Sequence, residues 1–231
     1  MPAAALLKRI RSEVGRRAVA RSQLARRVSF RARWSSTRRL EPLSEWGFER
    51  GVPVDRWYIQ RFLDEHRHLV SGHALEVKED LYATRLGAQR VDILDVDPAN
   101  RVATIVGDMC DPQTLPVETF DVAVVTQTLQ LLPDPRQALV NLRECLRPGG
   151  VLLVTVPCMS RLAGEWDRWR WTPRGFEDVV RSAGALGELH AVGNLLTCRA
   201  FLLGAAADDI DAELMAVHDP DYPLLVAAVL R

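Results

Sequence analysis

The sequence predicts an α/β protein in which a mostly parallel sheet is covered by helices on both faces, and two patterns support this fold class. Five short apolar runs follow one another between residues 73 and 157: HALEVK, VDILDV, ATIVGD, FDVAVVTQ and GGVLLVTVP. Each run is nearly continuous in apolar residues, which is typical of strands buried on both faces. Helical or short linking segments separate the runs, as crossover connections between parallel strands require.

Helical patterns flank these strands. The clearest is PRQALVNLRECLRP before the fifth run, with Asp134 as its predicted N-cap and Gly149 as its predicted stop. A lead-in helix is predicted over residues 54–70, because Trp57 and Phe62 belong to an aromatic set at helical spacing. Farther on, GFEDVVRSAG predicts another helix. The stretches ELHAVGNLLTCRAFLLGAA and YPLLVAAVLR supply a further helix and the sixth and seventh strands, so we expect a seven-stranded sheet.

The formal net charge of zero hides a strong asymmetry along the chain. Residues 1–39 hold twelve Lys or Arg and one acid, Glu13, and therefore carry about +11, which leaves about −11 on the rest. We predict a basic, poorly ordered arm over residues 1–43 and a single domain over residues 44–231. The same composition is also typical of a transit peptide, a membrane-surface helix or an arm that binds nucleic acid. Arginine far outnumbers lysine, which favours a GC-rich bacterial source.

Cysteine usage and hydropathy indicate the environment of the protein. The four cysteines show no CxxC spacing and no histidines cluster near them, so neither a disulfide framework nor a zinc site is predicted. No segment reaches the roughly 18 uninterrupted apolar residues that a membrane-spanning helix needs. These features predict a cytoplasmic protein that binds no metal and has no transmembrane segment.

Acidic residues stand where the predicted strands end. Glu76 ends the first strand, Asp92 or Asp95 the second, and Asp108 follows the third. In open α/β sheets the ligand lies outside the carboxyl ends of the strands. A carboxylate after the second strand can accept hydrogen bonds from both ribose hydroxyls, and a polar residue after the third can hold an adenine amino group. Taken singly, each acid also suits a solvated turn.

The later segments carry a family resemblance. LRPGGVLLVTVP, following FDVAVVTQTLQLLPDPRQALVNLREC, resembles the class I S-adenosylmethionine-dependent methyltransferases, in particular their type 11 subfamily, over roughly residues 44–200. WGFERGVPVDRWYIQRFL, GDMCDPQTLP and WRWTPRG are similar to a bacterial branch often met beside glycosyltransferase genes. The resemblance implies a Rossmann-like methyltransferase fold, S-adenosylmethionine as cofactor, and methyl transfer to a small-molecule or saccharide acceptor. It also implies a glycosyltransferase as a candidate partner.

The resemblance assigns roles to residues at the strand ends. Glu76 would order the loop after the first strand and the cofactor's amino-acid end, and Asp92 would bind the ribose, with Asp95 as the competing choice. Asp108 and the backbone of Met109 would take the adenine. The implied cofactor-binding residues are Glu76, Val77, Lys78, Asp92, Asp95, Asp108, Met109, Thr126 and Gln127, of which the last two would border the methyl group and the substrate.

The sequence departs from the family pattern at the cofactor loop. The family has several glycines there, which let the backbone approach the cofactor, whereas this chain has Val-Lys-Glu-Asp at 77–80. A histidine common in the related branch is replaced by Gln130. Lys78 has three interpretations: it neutralises the cofactor carboxylate, it fills the pocket of a domain that no longer binds, or it is a solvated turn residue.

Catalytic and substrate residues are less defined by the sequence. The catalytic residues are unknown, and Asp134, Asp167 and His190 are candidate bases, with His190 on an apolar stretch that favours a structural role. A sulfonium donor is already activated, so positioning of the acceptor can supply much of the rate. The tryptophans and arginines of the segment EWDRWRW have two interpretations: they form a stacking platform for a saccharide, or the tryptophans pack on the sheet edge. The substrate candidates are Tyr58, Trp166, Trp169 and Trp171.

Two rival functions stay open at this stage. One is a non-catalytic methyltransferase-like domain that serves as a binding or scaffold partner. The other is a nucleic-acid methyltransferase drawn to its target by the basic arm. The second is disfavoured, because TQTLQLLPDP follows the fourth strand in place of a (D/N)PP(Y/F) base-flipping motif.

Overall fold

The computed structural model describes residues 40–231, so nearly all of the predicted arm lies outside the described residues. These residues form a seven-stranded sheet in the order β3-β2-β1-β4-β5-β7-β6. Neighbouring strands are parallel except at β7, which is antiparallel to both β5 and β6. The strands are β1 His73–Val77, β2 Arg90–Asp95, β3 Ile105–Val106, β4 Phe120–Thr126, β5 Leu146–Pro157, β6 Gly187–Val192 and β7 Leu225–Leu230. The predicted fold class is confirmed.

Helices connect the strands and cover both faces. They are α1 Val54–Glu65, α2 Ala83–Leu86, α3 Pro135–Cys145, α4 Pro173–Ser182, α5 Leu195–Leu202 and α6 Ala212–Met215, with short 3-10 turns at Arg67–Leu69, Leu129–Leu131 and Ala207–Asp209. One apolar cluster joins α1 and α5 to one face of the sheet, and a second joins α3 and α4 to the other. The sheet is therefore the middle layer of three.

Several element boundaries differ from the sequence prediction. Asp134 caps α3 as predicted, because its Oδ1 accepts a hydrogen bond from the Gln137 N–H at 3.0 Å. The predicted stop at Gly149 is wrong, since α3 ends at Cys145 and β5 begins at the next residue. Gly149 lies within the strand, where its φ of 83° is one that glycine adopts without steric cost. The third strand is also shorter than predicted.

Successive strands of the chain lie on opposite sides of β1 in the sheet. β2 and β3 are added on one side of β1, and β4 and β5 on the other. This is the topological switch point at which open α/β sheets bind ligands, outside the carboxyl ends of the strands. Val77, Asp95 and Thr126 are the last residues of β1, β2 and β4 and mark this edge.

Candidate cofactor and acceptor site

Glu76 organises the loop that follows β1. Its side chain is only 3% exposed. Its two carboxylate oxygens accept hydrogen bonds from the backbone N–H groups of Leu81 (3.1 Å), Tyr82 (3.1 and 3.2 Å) and Ala83 (2.8 Å). These are the N–H groups at the start of α2, which lack helical partners. Glu76 thus ties α2 to β1 and sets the path of residues 77–80 between them.

Burial controls the protonation of Glu76. Removal from water raises the pKa of this carboxyl to about 7, even though the backbone hydrogen bonds from Ala83, Tyr82 and Leu81 favour its ionised form. The group therefore titrates near neutral pH, and the order of the loop is coupled to that titration.

Lys78 occupies a glycine-like position in this loop. Its φ is 73°, one of three positive values among the non-glycine residues described, the others being at Glu118 and Gln127. A side chain in the left-handed region costs roughly 1–2 kcal/mol. The Lys78 N–H donates to the Leu94 carbonyl at 2.8 Å and extends the pairing of β1 with β2. The loop thus keeps a backbone turn suited to glycine although a lysine stands there.

Asn100 joins the loop to the end of β2. Its Nδ2 donates to the Lys78 carbonyl and to Asp95 Oδ2, each at 2.7 Å. Asp95 Oδ1 accepts from the Asp97 N–H at 3.0 Å. Partial burial raises the pKa of Asp95, but these hydrogen bonds and the charge of Lys78 outweigh it and leave the pKa below its usual value. An ionised carboxylate therefore lies at the carboxyl end of β2. No sequence pattern indicated the role of Asn100.

Asp92 lies away from this edge. It pairs with Leu75 in the ladder, three residues before the end of β2, which corresponds to about 10 Å along a strand. Its Oδ2 lies 2.7 Å from His73 Nε2 and accepts from Arg90 at 3.1 Å. Burial opposes ionisation, but these partners lower the pKa of Asp92. Of the two acids weighed from the sequence, only Asp95 lies at the carboxyl end of β2. The position of Asp92 within the strand favours Asp95 for the ribose, and that assignment stays a prediction.

Asp108 and Met109 follow β3 at the same edge. Asp108 is exposed, and its Oδ1 accepts from the Cys110 N–H at 2.8 Å. The Met109 side chain is 4% exposed, and its carbonyl accepts from buried Asn141 Nδ2 at 2.8 Å. The Met109 carbonyl is therefore already paired within the protein, whereas the Asp108 carboxylate keeps acceptor capacity.

Unpaired polar atoms are buried at the carboxyl ends of β4 and β5. Gln127 Nε2, Gln130 Oε1 and Thr155 Oγ1 have no hydrogen-bond partner. Gln130 Nε2 donates to the Gln127 carbonyl at 2.7 Å, which fixes the orientation of the Gln130 amide. Gln127 follows Thr126 directly and has a φ of 49°. Buried polar atoms normally have partners, so a group that supplies them here would gain hydrogen bonds without new strain. Gln127 was predicted from the sequence and Gln130 stood out only as the replacement of a histidine, whereas no sequence pattern indicated Thr155.

The segment after β5 folds over these residues. The Arg168 and Trp169 N–H groups donate to the Gln130 carbonyl at 2.8 and 3.1 Å. Arg170 pairs with Asp167 through contacts of 2.5 and 2.7 Å, and the Asp167 side chain is only 1% exposed. Hydrogen bonding to Arg170 lowers the pKa of Asp167. Asp167 is thus committed to holding the segment in shape.

The aromatic substrate candidates divide into two groups. Trp166 and Trp169 are 71% and 42% exposed. Trp171 is 6% exposed and packs edge-on against Phe176 at 5.7 Å, so it is a core residue and not a substrate contact. Tyr58 is 2% exposed and its hydroxyl donates to the Met215 carbonyl at 2.7 Å, which likewise removes it from the acceptor site.

None of the three candidate bases is free at the end of β4. Asp134 caps α3 and Asp167 is paired with Arg170. His190 lies on β6, at the far edge of the sheet. Its side chain is 44% exposed, so it is not packed in the core, although its apolar surroundings in the sequence favoured a structural role.

Within residues 40–231, no group of three or more His, Cys, Asp or Glu side chains is placed to hold a metal ion. The same residues contain no helix with the length and apolar character to cross a membrane.

Known proteins share this fold and this part of the sequence. Residues 71–154 match the family described as a methyltransferase domain, a span that contains β1 to β4 and most of β5. Over this span, about a third of the chain, the sequence is similar to this methyltransferase family. The resemblance inferred from the sequence is confirmed at this level. No curated protein matches the sequence.

Solved structures resemble the whole sheet. A methyltransferase from Mesorhizobium loti is 14% identical, with a TM-score of 0.51 over 77% of this chain and 97% of that chain. A methyltransferase from Leishmania major is 15% identical, with a TM-score of 0.51 over 79% of both chains. The [4+2]-cyclase SpnF is 19% identical, with a TM-score of 0.51 over 84% of this chain and 87% of that chain. At such identities the likeness concerns the fold alone.

Proposed function

We propose that this protein transfers the methyl group of S-adenosylmethionine to a polar, uncharged small molecule, with a saccharide as the favoured class. The observation that carries the proposal is the pair of unsatisfied buried groups, Gln127 Nε2 and Gln130 Oε1, directly after β4. One is a donor and the other an acceptor. A neutral molecule with hydroxyl groups can satisfy both, whereas a carboxylate or an ammonium can satisfy only one.

The residues at the ends of β1 and β2 fit the cofactor. Asp95 is ionised, and each oxygen accepts one hydrogen bond from the protein, which leaves lone pairs for two vicinal hydroxyls. Lys78 offers a cation for the cofactor carboxylate, and its left-handed turn gives the backbone a path suited to close approach. Asp108 has acceptor capacity for an adenine amino group. Glu76 acts through the loop and not by direct contact, since its oxygens are occupied by backbone N–H groups.

The acceptor would lie against the segment after β5. Trp166 and Trp169 expose aromatic faces on which a sugar ring stacks. The cofactor supplies a methyl group on a sulfonium, which is already activated for transfer. The task of the protein is then to hold the acceptor oxygen in line with that methyl group and to exclude water, and such positioning can supply several powers of ten in rate. This suits a site in which the three candidate bases are engaged elsewhere.

Cofactor binding is tested by calorimetric titration with S-adenosylmethionine and S-adenosylhomocysteine. We expect binding by the wild type and about tenfold weaker binding by Asp95→Asn, because a charge-assisted hydrogen bond is lost. Asp92→Asn is the matched control, since Asp92 is bound to His73 and Arg90 away from the ligand edge, and it should leave the affinity unchanged. Absence of heat at high micromolar ligand with folded protein would refute the proposal and favour a non-catalytic scaffold.

Lys78 is tested by two substitutions. Lys78→Ala removes the charge but keeps a side chain in the left-handed turn, whereas Lys78→Gly removes both. Weaker cofactor binding by both variants indicates that the ammonium takes part in binding. Tighter binding by both indicates that the lysine obstructs the pocket, and unchanged affinity indicates a solvated residue.

The acceptor class is tested by release of S-adenosylhomocysteine with a panel of monosaccharides and nucleotide sugars. Gln127→Met keeps the length of the side chain and removes its polar atoms. We expect it to raise KM for the acceptor about tenfold without changing the affinity for the cofactor. Trp171 serves as the structural contrast, because its substitution should lower stability instead. Turnover only with anionic acceptors would overturn the saccharide assignment.

The location of the protein, its source and its partner also remain part of this proposal. A cytoplasmic, bacterial protein that modifies a saccharide would suit a glycosyltransferase as partner. Because a [4+2]-cyclase shares the fold, the fold does not establish methyl transfer, and the assays above decide it. The role of the basic arm in binding nucleic acid or an anionic surface stays a hypothesis.

A further inference from the structure

The outer face of α5 is apolar. Four of the eight residues of this helix are exposed, and three of the four are leucines. Leu195 and Leu202 are each 50% exposed and Leu196 is 40% exposed, while Arg199 is the fourth exposed residue. A surface helix normally presents polar residues to water on the side away from the core. Within residues 40–231 the leucine face of α5 is left open to solvent.

A groove of about 390 Å³ continues this face at the end of α5. The Trp46 ring lies 6.4 Å from the Phe201 ring, and Glu45 Oε2 lies 3.2 Å from Arg161 Nη1, so the two charged groups of the groove pair with each other. The lining is completed by Pro42 and Leu202. We call the groove together with Leu195, Leu196 and Leu202 the α5 surface.

The basic arm joins the described part of the chain beside the α5 surface. The Leu43 N–H donates to the Leu203 carbonyl at 2.7 Å. Leu203 directly follows α5, so only residues 40–42 separate the arm from a point fixed to the end of this helix. Residues 1–39 are therefore tethered next to the exposed leucines, which gives them a high effective concentration there.

The composition of the arm suits an apolar surface with acids around it. Residues 24–39 hold six arginines and no acid, and the arginines alternate with Leu24, Val28, Phe30 and Trp34. α5 is about 12 Å long. The six residues from Trp34 to Leu40 span up to about 20 Å when extended, so Trp34 can reach any point along the helix.

The segment that follows α5 supplies charge opposite to that of the arm. Residues 208–213 contain no base and four exposed acids, of which Asp209 pairs with Arg50 at 2.8 Å. The segment returns to the start of α5, because Asn194, the N-cap of α5, donates from Nδ2 to the Leu214 carbonyl at 2.9 Å. The four acids are Asp208, Asp209, Asp211 and Glu213.

We propose that residues 24–39 dock on the α5 surface of the same molecule, with Trp34 and its apolar neighbours against the leucines and the arginines facing the acids of residues 208–213. Docking removes exposed apolar surface from water and brings opposite charges together. Because the arm is tethered at Leu43, it needs no second molecule to do so.

Fluorine NMR of the 231-residue chain labelled with 5-fluorotryptophan tests the proposal, with Trp34→Phe to assign the Trp34 signal. We expect this signal to lie away from its position in urea and to be insensitive to exchange of H₂O for D₂O, as for a ring removed from water. Leu195→Ser together with Leu202→Ser should weaken docking about tenfold and move the signal toward the urea position. Leu186→Ser is the matched control, because Leu186 is 73% exposed and lies at the opposite end of β6 from α5.

Charge substitutions at exposed positions test the orientation of the arm. Asp211→Asn together with Glu213→Gln should weaken docking and reduce its sensitivity to salt. Arg199→Glu adds a negative charge to the leucine face and should strengthen docking of a basic segment. The opposite response, weaker docking in Arg199→Glu, would contradict the proposed pairing of charges.

Three further outcomes would overturn the proposal. A wild-type Trp34 signal at the urea position, or one that ignores the leucine substitutions, would show that the arm does not dock on α5. A signal that depends on protein concentration would identify a second copy as the occupant. A signal that moves only when vesicles of anionic lipid are added would identify a membrane surface. Because the readout needs no cofactor, its outcome is independent of the methyltransferase proposal.

Discussion

At Lys78 the backbone has a conformation typical of glycine, but the residue carries a side chain. The loop after β1 retains a left-handed turn at this residue, with φ at 73°, while the glycine that adopts such a turn without steric cost is missing. The sequence shows the missing glycine, but only the structure shows that the turn persists. Asn100 and Glu76 hold it from either side through hydrogen bonds to the loop and to the start of α2.

Lys78→Gly should raise the free energy of unfolding by about 0.5–1 kcal/mol. The relief of the left-handed side chain, about 1–2 kcal/mol, exceeds the entropic cost of a glycine, about 0.5–1 kcal/mol. Urea denaturation measures the change. Glu118→Gly is the matched control, because Glu118 is exposed, has a φ of 47° and lies away from the site. Both variants should gain stability, and a loss confined to Lys78→Gly would mean that its side chain contributes a stabilising contact.

Glu76 should make the stability of the protein dependent on pH. Burial raises the pKa of Glu76 from the ordinary 4.5 to about 7, so the folded state binds the proton more tightly than the unfolded chain does. The resulting stability is fully present below pH 4.5 and is lost as the pH rises to about 7.

Glu76→Gln removes this titration. The difference in unfolding free energy between wild type and variant should therefore fall by about 3 kcal/mol as the pH rises through this window. Urea denaturation at several pH values measures it, with exposed Glu79→Gln as the control. A difference that is constant with pH would show that Glu76 titrates at the same pKa in the folded and unfolded states.

At the scale of elements, an ion pair between Asp167 and Arg170 helps to hold the segment between β5 and α4. Asp167 is buried and is paired with partly exposed Arg170, and an Asp167 oxygen also accepts from the Ala163 N–H at 2.8 Å. Asp167 was a candidate base in the sequence interpretation, because the sequence does not show that Asp167 is buried and paired with Arg170, three residues along the chain. The pair lies next to Trp169, whose backbone N–H donates to the Gln130 carbonyl at 3.1 Å.

Asp167→Asn should lower the unfolding free energy by about 1–3 kcal/mol, since it leaves the Arg170 charge without its partner. Hydrogen exchange should rise in residues 160–172. The pKa of Asp167 is depressed by Arg170, so its contribution is present above the ordinary value of 3.8 and is lost as the pH falls through the lowered one. Glu177→Gln, which breaks a more exposed pair with Arg181, is the comparison and should cost less than about 1 kcal/mol. Equal effects would argue against burial as the cause.

Element boundaries show what sequence patterns resolve. The apolar runs predicted the strands in order, and in central strands such as β4 and β5 the continuous apolar signature comes from burial on both faces of the sheet, whereas the edge strand β6 is more exposed. The ends were less certain. The helix predicted over residues 54–70 ends at Glu65 and continues only as a 3-10 turn at Arg67–Leu69, and the strand after α3 begins before the glycines that were taken as its start.

For the whole molecule, the separation of charge along the chain has a measurable consequence. Residues 40–231 carry a formal charge of about −11, and residues 1–39 carry about +11. The full-length protein should bind heparin through its first segment and elute with salt, because phosphate-like and sulfate charges attract clustered arginines. Deletion of residues 1–39 should abolish retention and leave titration with S-adenosylmethionine unchanged. Equal retention of both proteins would place the anion-binding surface within residues 40–231.

The sequence alone was sufficient for the fold class and the number of strands, because these follow from apolar patterns, which are local features; acids at strand ends also predicted the edge of the sheet proposed for the ligand. It could not show that only Asp95 of the two acids lies at the carboxyl end of β2, or that Tyr58 and Trp171 are buried. Those facts depend on strand register, on burial and on contacts between residues far apart in the chain. Register decides which carboxylate reaches the ligand edge, and packing decides which aromatic ring stays exposed, so only the tertiary structure could establish them.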